Sequence, residues 1–361
     1  MKRFILKSFL FITPFLLCIG IEIFVLPIDY FTFRAWEALV VRKFRDLLPG
    51  PFYPNMKIEK IEEGDLAHHT QFAIKRKVDW ITDRYGFRKE NTPKSPEIVI
   101  VGDSNIAGGG LSQEKTISEV LEDQLKIPVY PLAPARIQTF LKTKRFKDHP
   151  PKIVILGAVE RELIYLSPVK FKQRYEKESQ IFKSVKDVRE GRRFQTIIVF
   201  FDRIAKTNML HAFRAHLRRM VSSKRDINPQ YVHSKFGPIF FLQGAEANKE
   251  IPKERRNQVI EVVKNYHNAL KSRGIRFIFL PIPEKENLFH DLLKTPRPTF
   301  LEQVIVQLKK EGIDTIDTQK AFEEAYQKEQ TLLYQSDDTH WSKEGVSLAA
   351  KLIVEAIGNI E

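Results

Sequence analysis

Short, almost wholly apolar runs, each followed by a stretch of helical periodicity, occupy the middle of this chain and restrict its fold. The clearest are Ile98–Val101 and Lys152–Gly157, and another lies at Arg276–Pro283. Strands buried on both faces of a parallel sheet have this composition, and strands that alternate with helices are typical of a doubly wound α/β fold. The sequence therefore predicts a three-layer α/β protein, with further strands at Ile127–Leu132 and Ile313–Asp317.

The N-terminus predicts a location at a membrane. Three basic residues within the first seven positions precede an apolar run from Ser8 to Ile28, which only Glu22 interrupts. This run is long enough to span a bilayer, and the basic residues before it place the tail in the cytoplasm. No small-residue cleavage site follows, and Leu17 stands where a lipoprotein would need a small residue before Cys18. We expect an uncleaved helical anchor in a bacterial inner membrane, with the remaining chain exported to the periplasm.

The pattern divides the chain into four parts. We expect the anchor at 1–29, a juxtamembrane lead-in at 30–96, and an α/β domain formed by 97–165 and 252–361. The intervening segment, 166–251, breaks the alternation and is interpreted as a mostly helical insertion, either a lid or a platform for an acceptor. It includes a basic amphipathic stretch from Arg203 to Arg225, which favours docking onto its own domain or contact with an anionic surface.

Charge and cysteine content exclude several classes of function. A net charge of +14 favours anionic neighbours such as a membrane surface, an acidic glycan or nucleic acid. No nucleic-acid-binding signature accompanies the charge, so no nucleic-acid partner is expected. Cys18 is the single cysteine, which excludes an intrachain disulfide and a thiolate cluster. The adjacent pair His68-His69 points in two directions and is interpreted as a surface loop. No metal or cofactor is predicted.

Two motifs carry the predicted chemistry. Gly102-Asp103-Ser104-Asn105 follows the first apolar strand, and Asp337-Asp338-Thr339-His340-Trp341 precedes the closing helix. A strand end places Ser104 at the carboxyl edge of the sheet, where open α/β folds bind ligands. A histidine oriented by a carboxylate is the base that activates a serine hydroxyl. The sequence predicts Ser104 as nucleophile, His340 as base, and Asp338 or Asp337 as the orienting acid.

These motifs and their order resemble the SGNH or GDSL-type hydrolases, which implies a flavodoxin-like sheet. The Asp338-Thr339-His340-Trp341 motif and the segment Leu280–Glu286 are similar to the alginate O-acetyltransferase group of SGNH-like proteins, and Trp80–Arg88 resembles a phrase that precedes the nucleophile strand in membrane-anchored members. The two-residue step from Asp338 to His340 follows the alginate group, whereas the three-residue step from Asp337 follows ordinary SGNH esterases. We favour Asp338. In the alginate proteins the acid–histidine motif precedes the serine motif, and here the order is reversed.

The oxyanion site departs from the SGNH pattern. SGNH enzymes use a glycine and an asparagine in two later blocks, and here those positions read Ala133–Arg136 and Gly157–Arg161, without an asparagine. The Ser104 amide remains as one donor, and the side chain of Asn105 or Arg136 is the candidate for the second. Three further residues are expected at the substrate site: Glu160, Lys285 and Trp341. For Glu160 simple charge pairing, and for Trp341 core packing, are the structural alternatives.

The resemblance implies an exported domain that moves acetyl groups onto the hydroxyls of an envelope polysaccharide through an acyl-serine. A membrane-bound O-acyltransferase is the implied supplier of the acetyl group. Two alternatives stay open: an SGNH-type esterase that transfers the acyl group to water, and a catalytically silent module that binds glycan or serves as a scaffold.

Overall fold

The computed structural model describes residues 2–68, 70–169, 188, 190–206 and 230–358. His69 and the part of the predicted basic helix beyond residue 206 lie outside the described residues. The strands are β1 Lys57–Glu62, β2 Arg76–Ile81, β3 Ile98–Val101, β4 Val129–Leu132, β5 Ile153–Val159, β6 Tyr231–Ser234, β7 Gly237–Phe240, β8 Arg276–Ile282 and β9 Asp314–Thr315. The described helices are α1 Lys2–Phe24, α2 Ala35–Leu39, α3 Ile117–Leu125, α4 Ile137–Lys142, α5 Glu160–Leu163, α6 Arg192–Ala205, α7 Lys253–Lys271, α8 Lys285–Leu288, α9 Phe300–Lys310, α10 Thr318–Lys328 and α11 Lys343–Ile357.

A parallel sheet of five strands, in the order β4-β3-β5-β8-β9, forms the centre of the molecule. The order reverses between β3 and β5, so the chain winds outward in both directions from these two strands. In open α/β sheets this switch point leaves a crevice at the carboxyl edge where ligands bind. The predicted doubly wound α/β fold is confirmed, and Ser104 follows the strand on one side of the crevice.

Helices cover both faces of the sheet, as strands of wholly apolar residues require. Ile98 and Ile100 point into one apolar layer, and Val99 and Val101 point into the other. On the first face α3 packs against α11, and on the second α7 packs against α9. The sheet is therefore buried between two helical layers, and its open carboxyl edge remains the place for a site.

The lead-in has more structure than its sequence pattern indicates. Strands β1 and β2 form an antiparallel hairpin that pairs Lys57 with Ile81, and Trp80 on this hairpin is buried. Phe87 is buried and meets Tyr130 of β4 edge-on, with ring centroids 6.0 Å apart. Residues 30–96 are thus packed onto the α/β core instead of serving only as a tether.

The N-terminal helix and part of the insertion complete the described chain. Helix α1 has a mean hydropathy of 2.2 over its most apolar window, and within the described residues it is the one helix whose length and composition suit a membrane span. The described part of the insertion holds α6 and the antiparallel hairpin β6–β7. Its helical character is therefore only partial, because β-pairing contributes as well.

Candidate active site

Ser104 stands on a turn that hydrogen bonds hold at the end of β3. The Asp103 carboxylate accepts the amide of Asn105 at 2.8 Å and the amide of Val159 at 3.0 Å. The second of these bonds ties the turn to β5 across the switch point of the sheet. The Ser104 side chain is exposed, and its hydroxyl makes no hydrogen bond within the described part of the chain. The turn therefore presents a free hydroxyl at the carboxyl edge.

The acid–histidine motif lies at the same edge, immediately before α11. His340 Nδ1 lies 2.5 Å from Asp338 Oδ1, which also accepts the His340 amide at 3.0 Å. Both side chains are buried. The helix begins directly afterwards because the Ser342 hydroxyl accepts the amide of Gly345 at 3.1 Å and caps the first turn. The motif is thus fixed between its own hydrogen bonds and a helix start.

The buried pair has perturbed acidities. Burial alone would lower the pKa of His340, but the adjacent Asp338 carboxylate outweighs it and raises that pKa above its ordinary value. Burial would likewise raise the pKa of Asp338, yet the charge and hydrogen bonds of His340 hold this pKa well below its usual range. Asp338 is consequently ionised at neutral pH and can stabilise a protonated imidazole.

The two neighbouring aspartates have different partners. The Asp337 carboxylate accepts the amides of Gly64 at 3.0 Å and Ile74 at 2.9 Å, and it pairs with the Arg76 guanidinium. These contacts hold the lead-in against the C-terminal loop and leave Asp337 with no contact to His340 among the described residues. The contact geometry therefore selects Asp338 as the partner of His340, while its role in catalysis stays a prediction.

The sequence interpretation missed Asp65 of the lead-in. Its carboxylate accepts both the amide and the hydroxyl of Thr339 at 3.1 Å, and its own amide donates to Asp338 at 3.1 Å. Arg34 pairs with it at 3.3 Å. Asp65 raises the pKa of His340 further, after the larger effect of Asp338. No periodicity or motif marks this position, because only the packing of the lead-in brings it to the site.

Asp65, Asp338 and His340 are also the one described group whose possible ligand atoms could surround a cation, since these atoms lie within 4.8 Å of one another. However, His340 Nδ1 is engaged by Asp338, and the Asp65 carboxylate is engaged by Thr339. The arrangement thus fits an oriented imidazole.

The serine turn and the histidine loop are joined by direct contacts. Asn105 Oδ1 accepts the amide of Trp341 at 3.2 Å, and the Gly109 amide donates to the Ser104 carbonyl at 3.0 Å. Gly109 packs directly against the His340 ring, so that a β-carbon at this position would lie 2.7 Å from Nε2. Only glycine leaves room for the imidazole here. Ser104 and His340 therefore flank Gly109, although no hydrogen bond joins their side chains in the described structure.

Arg88 of the lead-in binds the loop that follows the nucleophile. This buried guanidinium stacks on Trp80 at 3.9 Å and donates to the carbonyls of Ala107 at 3.1 Å and Leu111 at 2.5 Å. The Gly-Phe-Arg phrase thus contributes a packed phenylalanine and an arginine that supports the loop carrying Gly109.

Three residues that the sequence predicts at the substrate site have buried side chains. Lys285 is buried, and its ammonium donates to the carbonyls of Gln335 at 2.7 Å, Ser336 at 3.0 Å and Asp338 at 2.9 Å. All three of its donors are used, so it holds the acid–histidine loop and has none left for a substrate. Burial lowers its pKa to about 8.

Glu160 and Trp341 also face the interior. The Glu160 carboxylate accepts from Asn287 at 2.7 Å and from the Glu284 amide at 3.2 Å, and burial raises its pKa to about 7. Trp341 is 1% exposed and packs against Phe322, with ring centroids 5.7 Å apart. The structural alternative, core packing, describes Trp341, whereas Glu160 is bound by amide groups and forms no ion pair within the described residues.

An open cavity of about 1080 Å³ adjoins Ser104. Arg136 and Arg161 line it, and Glu162 and Tyr165 lie on the same wall. Arg161 is held by Glu284 at 2.8 Å, whereas Arg136 is exposed and its side chain makes no hydrogen bond within the described residues. The cavity extends from the nucleophile towards the start of α7, so a substrate can reach Ser104 from this side.

The structure therefore combines a doubly wound α/β fold, a serine at the switch point of the sheet and an acid–histidine pair before the last helix. Residues 240–360 match the family described as an SGNH hydrolase-like domain of the acetyltransferase AlgX. The match contains Lys285, Asp338 and His340 but not Ser104. The resemblance to SGNH-type proteins, and among them to the AlgX acetyltransferase, is confirmed.

Two solved structures show only a weak similarity to this chain. A G-D-S-L family lipolytic protein structure from Desulfitobacterium hafniense DCB-2 is 15% identical, with a TM-score of 0.34 over 72% of this chain and 98% of its own. An acylhydrolase structure from Bacteroides fragilis NCTC 9343 is 11% identical, with the same TM-score over 73% and 89%. No curated protein matches the chain.

Proposed function

We propose that this protein is a membrane-anchored, exported serine acyltransferase that moves acetyl groups onto the hydroxyls of an envelope polysaccharide. The observation that carries the proposal is the Asp338–His340 pair, which flanks Gly109 together with an exposed Ser104 beside an open cavity. The family match over residues 240–360 supports acyl transfer as the type of chemistry. Helix α1 supports membrane anchoring.

The reaction follows from these groups. As the Ser104 hydroxyl attacks the acyl carbonyl, its proton passes to His340 Nε2, while Asp338 holds Nδ1–H and stabilises the imidazolium. The tetrahedral intermediate collapses with protonation of the leaving group by His340, and an acyl-serine remains. An acceptor hydroxyl then gives its proton to Nε2 and attacks the ester, which regenerates Ser104.

Two hydrogen-bond donors are available for the oxyanion. The Ser104 amide and the Asn105 side-chain nitrogen both lack a hydrogen bond within the described residues, and Asn105 is otherwise anchored through Oδ1 to Trp341. No hydrogen bond joins the Ser104 hydroxyl to Nε2 in the described structure, as is common in free enzymes. The hydroxyl must therefore turn towards Nε2 when substrate binds.

A membrane-bound O-acyltransferase is the proposed supplier of the acetyl group.

The test is the intact mass of the full chain in detergent after brief exposure to 4-nitrophenyl acetate, with Ser104→Ala as the matched control. We expect an acetyl-sized increase on the wild type alone. Discharge of the adduct by an oligosaccharide faster than by water would identify a transferase. Failure to form an adduct in folded protein would remove the enzyme proposal and leave a glycan-binding or scaffold module.

Hydrolysis is the second candidate function, because the exposed Ser104 side chain is open to water from the cavity. In the same experiment an esterase would lose its acetyl group to water at a rate that added oligosaccharide does not change. The released product would then be acetate, with no acetylated sugar.

A further inference from the structure

Helix α6 has apolar side chains on its outward side as well as on its inward side. The inward side buries Ile198 together with the polar residues Gln195 and Asp202, which are 3% and 0% exposed, whereas Ile197, Phe200 and Phe201 on the outward side are 52%, 37% and 50% exposed. A surface helix of a soluble protein normally buries its apolar side. The outward side of α6 therefore suits an apolar neighbour.

The inward polar contacts fix this orientation. The Asp202 carboxylate accepts the amides of Lys43 at 2.7 Å and Phe44 at 3.1 Å and the hydroxyl of Tyr53 at 2.7 Å. Gln195 donates to the Arg84 carbonyl at 3.1 Å. Rotating the helix to bury its phenylalanines would break these bonds and leave a carboxylate unpaired, which makes the exposed apolar side a fixed feature of the fold.

The end of the membrane helix lies at this same surface. The ring of Phe24, the last residue of α1, has its centroid 6.1 Å from that of Phe200, and Arg203 donates to the Ile23 carbonyl at 3.0 Å. Where α1 leaves a bilayer, the exposed side of α6 is therefore already at the level of the lipid. At the N-terminal end of α6, Arg192 and Arg193 are exposed and suit anionic headgroups.

We propose that α6 is an interfacial membrane-docking helix, which inserts Ile197, Phe200 and Phe201 into the outer boundary of the bilayer that α1 spans. The domain then lies against the membrane instead of hanging from a flexible anchor. This inference rests on the membrane anchoring in the proposed function, and its partner is a phospholipid surface containing anionic lipid.

The test places a polarity-sensitive fluorophore on single cysteines of the full chain, in a Cys18→Ser background, reconstituted into vesicles of phosphatidylethanolamine and phosphatidylglycerol. Phe201→Cys is the test position. Val306→Cys is the matched control, because Val306 is 44% exposed on α9, which packs on the opposite face of the sheet. Quenching is measured with lipids that carry bromine on their acyl chains.

We expect quenching at position 201 to exceed that at position 306 by about threefold or more, as for a side chain in the boundary region. A label at Ile197→Cys should lose this excess when Phe200→Glu and Phe201→Glu are added, with circular dichroism unchanged. Equal quenching at 201 and 306 would overturn the docking surface. It would mean that water, another part of the chain or a second copy of the protein surrounds the label at 201. Alkaline extraction of the same vesicles tests the anchor separately: retention with equal quenching overturns docking alone, and release overturns both.

Discussion

The two halves of the candidate site differ in burial and in the number of contacts that hold them. His340 lies in a loop that is buried and bound from several sides, whereas Ser104 is exposed on a turn beside an open cavity. Lys285 binds three carbonyls of the histidine loop, and the Gly64-Asp65 segment binds both of its aspartates. The difference indicates a base whose orientation is set before substrate arrives and a nucleophile that remains accessible. Such preorganisation lowers the cost of reaching the transition state.

The sharpest test of this comparison separates the two adjacent aspartates. Asp338→Asn should reduce the rate of acetyl-serine formation by about 10⁴-fold, because the amide favours the wrong imidazole tautomer. Asp337→Asn should mainly lower the free energy of unfolding, since Asp337 binds the lead-in. Single-turnover acylation and urea unfolding of both variants provide the measurements. A large catalytic loss in Asp337→Asn with Asp338→Asn nearly active would reverse the assignment.

On the nucleophile side, Asn105→Ala should slow acylation by about a hundredfold or more, as the loss of an oxyanion donor does. Arg136→Ala serves as the comparison, because Arg136 lines the cavity and its side chain makes no hydrogen bond within the described residues; its effect on acylation should stay below about tenfold. Stopped-flow release of 4-nitrophenol measures both rates. If Arg136→Ala has the larger effect, the second donor is the guanidinium.

On the histidine side, Lys285→Met should lower the free energy of unfolding by about 2–4 kcal/mol, because three buried carbonyls lose a charged donor. Lys249→Met, at an exposed lysine of the cavity wall, is the control and should change stability little. Urea unfolding monitored by tryptophan fluorescence gives both values. Wild-type stability in Lys285→Met would mean that the loop does not depend on this lysine.

The contact between the two halves is tested by Gly109→Ala. The added methyl group would lie 2.6–2.9 Å from three atoms of the His340 ring, so the ring must move and acylation should fall about 10–100-fold. Gly20→Ala, in α1, has nothing within 4 Å of the added group and an ordinary helical backbone, and it should leave acylation unchanged. An unaltered rate in Gly109→Ala would show that the ring need not lie against this loop.

The smallest expected effect concerns Asp65 and pH. His340 acts as a base only when neutral, and its raised pKa means that acylation should increase with pH through a midpoint above about 6.5. Asp65→Asn removes a negative charge that favours the imidazolium, so the midpoint should move to lower pH. Asp29→Asn, at an aspartate between α1 and α2 that pairs with Lys60, should leave the midpoint in place. An unchanged midpoint in Asp65→Asn would limit Asp65 to a structural contact with Thr339.

The sequence was sufficient for the strands of the central sheet, the sheet type and the chemistry-bearing motifs, because these are local patterns. Apolar runs such as Ile98–Val101 specify burial on both faces, and a serine directly after such a run must lie at the carboxyl edge. The apolar N-terminal helix was equally readable, from length and composition. The lead-in was not, since β1 and β2 contain few apolar residues and the positions of Arg88 and Asp65 depend on contacts made more than a dozen residues away.

By itself, then, the sequence determined a doubly wound α/β protein with an apolar N-terminal helix and placed Ser104 and His340 at one sheet edge. Only the tertiary structure showed that Asp338, and not Asp337, contacts His340. It also showed that Lys285 supports the histidine loop and that α6 exposes apolar side chains. Periodicity and motifs reflect contacts between residues that are close in the sequence. A buried charge needs a partner, because burying it unpaired is too costly. Which residue becomes that partner depends on how distant segments pack together.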